Sequence, residues 1–241
     1  SDMEQNMINF LEKQDGEEIH DIAYTLCVGR KEYDYRKSYV ASTRMGLIEE
    51  LKQGQTVEPS NVGKNGRQAI FVFSGFGEQY QAMAKDLYDG NKIFRDVVDR
   101  CFHTLQSRIQ KNYKEIWVNA SEEDLVRPSI AYPLLFTVEY ALSELLKNYN
   151  ILPSAMIGHS IGEYVCACVS GVMSPEDAIY VVYERGRLIE TLPEGAMLTV
   201  MLEQEEIANY LIEGTSLAAV NSFNICGVSG EAAKVEELKN K

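Results

Sequence analysis

Ala155-Met156-Ile157-Gly158-His159-Ser160-Ile161-Gly162-Glu163-Tyr164 decides the fold. Ala155–Ile157 reads as a short buried strand, and Glu163–Ser170 as a helix that follows at once. Between them, Gly158–Gly162 matches G-x-S-x-G. A serine on so tight a strand-to-helix turn needs small flanking residues, because side chains there would clash. The helix start behind it aims N–H groups and a positive dipole end at any oxyanion formed nearby. Ser160 is therefore the candidate nucleophile. From five residues alone, a tight turn with an idle serine is the competing reading.

A similar unit lies upstream. Ala69–Phe73 is a continuous apolar run ending in Ser74-Gly75-Phe76-Gly77, which suits a buried parallel strand. Helical patterns follow over Gln81–Leu87, Lys92–Gln110 and Tyr132–Tyr149, and Pro175–Leu192 is a further helix with Ser174 as its cap. Strand, glycine turn and helix in repetition predict a parallel α/β layer.

Further along, the order changes. Ala196–Leu202, Leu217–Val220 and Asn224–Ser229 read as strands, with helices over Gln204–Ile212 and Glu231–Lys239. A β-α-β-β-α-β sandwich needs one more strand than this. Before the first glycine loop, Gln53–Gln68 has the glycine, proline and polar content of a linker. A small unit precedes it, with a helix over Ile19–Val28, a strand over Arg36–Ala41 and a helix capped by Ser42 or Thr43. The expected division is a linker domain over 1–65, a large α/β subdomain over 66–194 and an incomplete ferredoxin-like subdomain over 195–241.

Composition bounds the function. The 241 residues allow one large or two modest domains. Apolar residues make up 45% and charged residues 24%, enough for a packed core. A net charge of −13 repels polyanions, so nucleic acid is not an expected partner. No apolar run approaches the ~18 residues a membrane span needs, and the polar start does not read as a signal peptide. The five cysteines are odd in number and lack CxxC spacing, so they read as reduced packing residues of a cytoplasmic protein. No cluster of His, Cys and Asp has ligand spacing, and no metal is expected.

Several segments together resemble one family. Gly158–Tyr164 (GHSIGEY) is similar to the active-site motif of malonyl-CoA:carrier-protein transacylases and polyketide synthase acyltransferase domains. Phe71–Tyr80 resembles the family's F-x-F-x-G-Q-G-x-Q motif, Pro133–Leu145 its "QPALF..EYAL" helix, and Tyr183–Leu188 its arginine-bearing helix. Leu217–Gly230 resembles its "AAVN…VVSG" segment. His20–Leu51 resembles the linker that joins ketosynthase to acyltransferase in modular synthases. The fold implied is a parallel-sheet, α/β hydrolase-like large subdomain with a ferredoxin-like small subdomain.

The resemblance implies a two-step transfer through an acyl-serine at Ser160. The substrates would be CoA or phosphopantetheine thioesters of an extender unit, with no covalently bound cofactor. The backbone N–H groups of Phe76 and Ile161 would hold the oxyanion, and Arg185 would grip a malonyl carboxylate, with Arg187 as its neighbour and competitor. His159 and Tyr132 would line the pocket. The partners implied are an acyl carrier protein, a neighbouring ketosynthase and the remaining part of the same acyltransferase domain. The family's histidine base is expected beyond Lys241, because His20, His103 and His159 do not match it. Phe76 and Tyr132 stand where the family has glutamines, which leaves open malonyl or 2-substituted malonyl, from CoA or from a carrier protein. Ile161 is closer to malonyl-type members. A serine hydrolase and a non-catalytic docking remnant are the alternative readings.

Overall fold

The computed structural model describes residues 2–13, 18–53, 60–61 and 68–240. The chain forms two units, Ser1–Ala69 and Ile70–Lys241.

The first unit comprises α1 (Asp2–Lys13), α2 (Ile19–Val28), β1 (Tyr35–Arg36), α3 (Arg44–Gln53) and β2 (Ser60–Asn61). Ile8 and Leu11 of α1 share a buried cluster with Ile22 of α2 and with Ile48 and Leu51 of α3. Spacing by three residues puts Ile8 and Leu11 on one helical face, so a polar-looking segment buries a stripe. Thr43 Oγ1 accepts from the Gly46 N–H at 3.1 Å, which supplies the expected start of α3. The strand expected over Arg36–Ala41 is shorter and begins earlier. Only Tyr35–Arg36 pairs, antiparallel to Ser60–Asn61. Lys37 instead forms a salt bridge with Glu4 at 3.2 Å, and the Tyr39 hydroxyl donates to the same carboxylate. These side chains hold the segment to α1 without a ladder. The linker reading of Gln53–Gln68 falls mostly outside the described residues, though Ser60–Asn61 within it forms β2.

The second unit opens on β3 (Ala69–Phe73) and runs through α4 (Lys85–Gly90), α5 (Lys92–Ile109), α6 (Tyr113–Asn119), α7 (Glu122–Leu125) and α8 (Pro128–Asn148) to β4 (Pro153–Gly158). Strands β3 and β4 pair in parallel, and the helices make the crossover between them. Then come α9 (Gly162–Val169) and α10 (Pro175–Ile189). The helix expected over Gln81–Leu87 starts later because Ala82 and Ala84 adopt φ of 53° and 61°. Left-handed residues interrupt a right-handed helix. Helix α8 is buried on nearly every side, with Ala131, Phe136, Thr137 and Ala141 fully enclosed. It is the helix around which the others pack, as an apolar circumference requires. Cys101 of α5 and Cys168 of α9 are buried, and burial pushes each thiol up to about 12.

The remaining elements are β5 (Gly195–Val200), α11 (Gln204–Ile207), β6 (Thr215–Ser222), β7 (Ile225–Glu231) and α12 (Ala232–Lys239). The sheet order is β5-β7-β6, antiparallel throughout. Ile207 of α11 and Leu238 of α12 join Cys226 and Val228 of β7 in one cluster, so both helices cover the same face. The helix expected over Gln204–Ile212 is a single turn, after which Asn209 donates to the Glu206 carbonyl and Tyr210 and Leu211 both donate to that of Ile207, folding the chain into turns. Among the described residues, no helix is long and apolar enough to cross a membrane.

Helices α8 and α10 cross in close backbone contact. A Cβ on Gly186 would lie 2.4 Å from the Pro128 carbonyl oxygen. Glu190, one turn on, accepts from the Ser129 N–H at 2.8 Å and so caps the start of α8. Gly186→Ala must push two backbones apart. A loss of about 3 kcal/mol is expected in urea unfolding, at the upper end for overpacking.

Candidate active site

The two glycine loops meet at the carboxyl ends of β3 and β4. The His159 N–H donates to the Phe73 carbonyl at 3.0 Å, just past the strand ends. A Cβ on Gly162 would lie 2.5 Å from that same Phe73 oxygen, and one on Gly158 would lie 2.3 Å from the Gly162 carbonyl carbon. Both glycines are therefore demanded by close backbone approach. Ser160 sits between them with φ of 52°, a left-handed conformation rare for a residue with a side chain. Its side chain is exposed. Strain of this kind persists only where surrounding bonds fix it. Here those bonds are Gly162 N–H to His159 O at 2.9 Å and Glu163 N–H to Ser160 O at 3.2 Å.

The first glycine loop lies against the serine turn. A Cβ on Gly75 would approach the His159 ring at 2.8 Å and Ser160 Cβ at 3.4 Å. The loop is pinned on both sides of Phe76. Ser74 donates from its N–H (2.7 Å) and its hydroxyl (2.6 Å) to one oxygen of Glu139 on α8. Gly77, with φ of 122°, donates to Gln79 Oε1 at 2.8 Å, and Gln79 in turn donates to the Leu125 carbonyl. Burial raises the pKa of the Glu139 carboxyl, against the pull of the two Ser74 bonds. Its second oxygen is buried and, among the described residues, has no hydrogen-bond partner. Among the described residues, neither the Phe76 nor the Ile161 N–H meets an acceptor.

Arg185 comes from α10. Its neighbour Gly186 seats that helix on Pro128, and Tyr132 lies one turn further along α8. The guanidinium sits 6.0 Å from the Tyr132 ring centre and 5.5 Å from that of Tyr164. It donates to the Tyr164 hydroxyl at 3.1 Å. Among the described residues, no carboxylate pairs with Arg185, whereas Arg187 is held by Glu184 at 2.7 Å. Phe76 packs edge-on against Tyr132, with ring centres 5.8 Å apart. Burial raises the pKa of the Tyr132 phenol, with Arg185 opposing. Phe76, Tyr132, Arg185 and Tyr164 thus form a chain of contacts from the first glycine loop to the serine helix.

Of the other histidines, His103 is exposed on α5, and His20 belongs to the first unit beside Asp21. A groove of about 600 Å³ runs along α10, lined by Val181, Glu184, Arg185, Leu188 and Leu192 among others. It shares Arg185 with the site and does not include Ser160. Among the described residues, no group of three or more His, Cys, Asp or Glu could hold a metal.

Two residues here lay outside the candidate set read from sequence. Tyr164 ends the Gly158–Tyr164 motif, but its spacing from Ser160 gives no signal, because Ser160 lies in the left-handed turn before α9 begins at Gly162. Glu139 is an acid set in the most deeply buried stretch of α8, between Thr137 and Ala141, and only that burial marks it.

Comparison with known proteins follows the same lines. The acyl transferase domain model matches residues 70–241, and the RhiE-like, KS-MAT linker domain model matches residues 1–56. A phenolphthiocerol/phthiocerol polyketide synthase polypeptide from Mycobacterium tuberculosis is 32% identical over 96% of this chain, which spans 16% of that protein. The solved acyl transferase domain of ZmaA is 38% identical with a TM-score of 0.91, covering 99% of this chain and 58% of that one. The acyl transferase domain of SpnD, solved with 2-(pent-4-yn-1-yl)malonyl, is 33% identical with a TM-score of 0.88 over 99% of this chain and 57% of its own. With its glycine-flanked serine turn and its match across residues 70–241, the chain belongs to the acyl transferase domain family, in the form carried by polyketide synthases.

Proposed function

We propose that this chain carries the acyl-accepting half of a malonyl-type extender-unit transferase acting on an acyl carrier protein. One observation carries the reading. Ser160 stands in a strained left-handed turn, and four residues on, in the first turn of α9, Tyr164 holds an arginine that, among the described residues, has no carboxylate of its own.

Ser160 Oγ attacks the thioester carbonyl of the donor. A C–O bond forms, the carbonyl electrons move to oxygen, and the Phe76 and Ile161 N–H groups receive that charge. Donors aimed in advance at a developing oxyanion are a large part of such catalysis. Collapse breaks the C–S bond, and the thiol leaves with the serine proton, delivered through a base. The thiol of a carrier phosphopantetheine then attacks the ester and regenerates Ser160. The free carboxylate of the extender unit pairs with Arg185, whose planar fork suits it. We assign the base to a histidine beyond Lys241. His159 is bonded to Phe73 through its backbone and rests its ring on Gly75, and His103 lies on the outer face of α5. The donor would be a CoA or carrier-protein thioester, and the KS-MAT linker match favours a ketosynthase neighbour. Phe76 and Tyr132 line the wall beside Arg185 and would select the substituent at the 2-position of the malonyl unit. SpnD, solved with a 2-substituted malonyl, is among the similar structures and favours a pocket of this class.

In the full-length protein, brief exposure to malonyl-CoA is expected to add one malonyl mass to the peptide containing Ser160. Ser160→Ala should abolish the addition. Rapid release of free malonate with no retained mass would instead make the protein a hydrolase.

Replacing Arg185 with Lys removes the fork and keeps the charge. The expected loss in kcat/KM with malonyl-CoA is about tenfold to a hundredfold, the range for hydrogen bonds to charged groups. Acetyl-CoA, which lacks the carboxylate, should be nearly unaffected.

Glu139→Ala frees the loop that carries the Phe76 N–H. The expected result is a fall in kcat of about tenfold or more with little change in KM, a loss confined to the transition state. Glu139→Gln keeps an acceptor for Ser74 and should retain most activity. Because the folded-state pKa of Glu139 is raised, its contribution to stability is greatest below the ordinary carboxylate range and declines as pH rises through the raised value. Glu139→Gln should remove that decline, read as thermal midpoint against pH.

A further inference from the structure

We propose that Tyr164 is a positioning residue that fixes the Arg185 guanidinium for a free carboxylate, and so sets the preference of the site for carboxylated acyl groups. The inference rests on the transferase reading above and extends it to a residue that does not touch the reacting carbonyl.

An arginine held only by its own side chain samples many rotamers. Arg185 is held at two places. Its guanidinium donates to the Tyr164 hydroxyl at 3.1 Å, and its plane lies near two tyrosine rings, at 5.5 Å from Tyr164 and 6.0 Å from Tyr132. The rings stabilise the cation without neutralising it. A phenol oxygen occupies one donor and leaves the remaining N–H groups for an incoming acid. An Asp or Glu at position 164 would satisfy and discharge the arginine, and the site would then compete poorly for a substrate carboxylate. Arg187, two residues on, shows that outcome, with two donors committed to Glu184 at 2.7 and 2.9 Å.

Tyr164 also sits in the right frame. It lies on α9 four residues after Ser160, and its N–H is bonded to Ile161 O at 3.0 Å in the first turn of the helix. The same backbone segment that presents the nucleophile therefore presents the phenol. The serine turn and the first turn of α9 join the nucleophile to the phenol that holds Arg185.

The test compares wild type, Tyr164→Phe and Tyr164→Leu in the full-length protein, with malonyl-CoA and acetyl-CoA as paired donors and acyl-Ser160 as the readout. Tyr164→Phe keeps the ring and loses the hydrogen bond. Tyr164→Leu loses both. The expected result is a graded rise in KM for malonyl-CoA, about fivefold for Phe and about twentyfold for Leu, with kcat little changed. Acetyl-CoA kinetics should be the same in all three proteins, so the malonyl-to-acetyl preference falls in step. Thermal midpoints within a few degrees of wild type exclude a folding defect, and Tyr164→Phe serves as the mild variant if Tyr164→Leu is destabilised. A Tyr164→Phe protein with wild-type preference overturns the proposal and leaves the transferase reading intact. Wild type that acylates Ser160 equally from both donors overturns both.

Discussion

The site depends on how closely two main chains can approach. β3 and β4 end side by side, and just beyond them the backbone of His159 reaches the carbonyl of Phe73. The start of α9 then passes within contact of that same carbonyl, at a place where only a hydrogen at Gly162 fits. Gly158 makes the bend tight enough for this, and Ser160 absorbs the turn in an unfavourable backbone conformation. Without the approach, the serine would lie along the strand, and the first glycine loop would have nothing to pack on. The chemistry proposed here is thus a consequence of packing at one point, where hydrogen bonds over-determine a strained residue.

From that point the polar groups arrange themselves by burial. Glu139 is brought against Ser74 by α8, and its cost of burial is partly offset by two donors. Arg185 is drawn in by the α8–α10 crossing and meets aromatic faces instead of a carboxylate. Arg187, two residues along the same helix and more exposed, finds Glu184 within one turn. A cation held by neutral partners keeps its field for a ligand, and partial burial weakens screening by salt.

Much of this was legible in the residues. The two apolar runs ending in glycine marked both strands, but not as fully buried ones, since Ile70, Val72 and Ile157 face solvent, and G-x-S-x-G between strand and helix marked the serine. Ser174 capped its helix through the Asp177 N–H, as its position implies. The misses have physical reasons. α1 hides a narrow apolar stripe in a polar segment, because Ile8 and Leu11 need only one face. The strand near Arg36 is short because Lys37 and Tyr39 bond to Glu4 instead of a ladder, a contact far away in sequence. The helix near Gln81 starts late because two alanines turn left-handed, which no alanine propensity would suggest. Within the site, the serine and arginine were visible as motif positions. Tyr164 and Glu139 were not, because their parts are played through other side chains and emerge only when α8, α9 and α10 are packed together.

The buried cysteines carry one further consequence. A protein that binds reactive thioesters risks acylating its own sulfur, since a thiolate exchanges with a thioester more readily than a hydroxyl attacks one. Cys166 and Cys168 lie on the helix that follows Ser160, and Cys101 lies in the core near them. With Cys101 and Cys168 raised to about 12, and Cys166 also raised by burial, the thiolate form is scarce at neutral pH. On the transfer proposed above, the thiols around α9 are thereby poor acyl acceptors, which leaves the oxygen of Ser160 as the acceptor from which the group can be passed on.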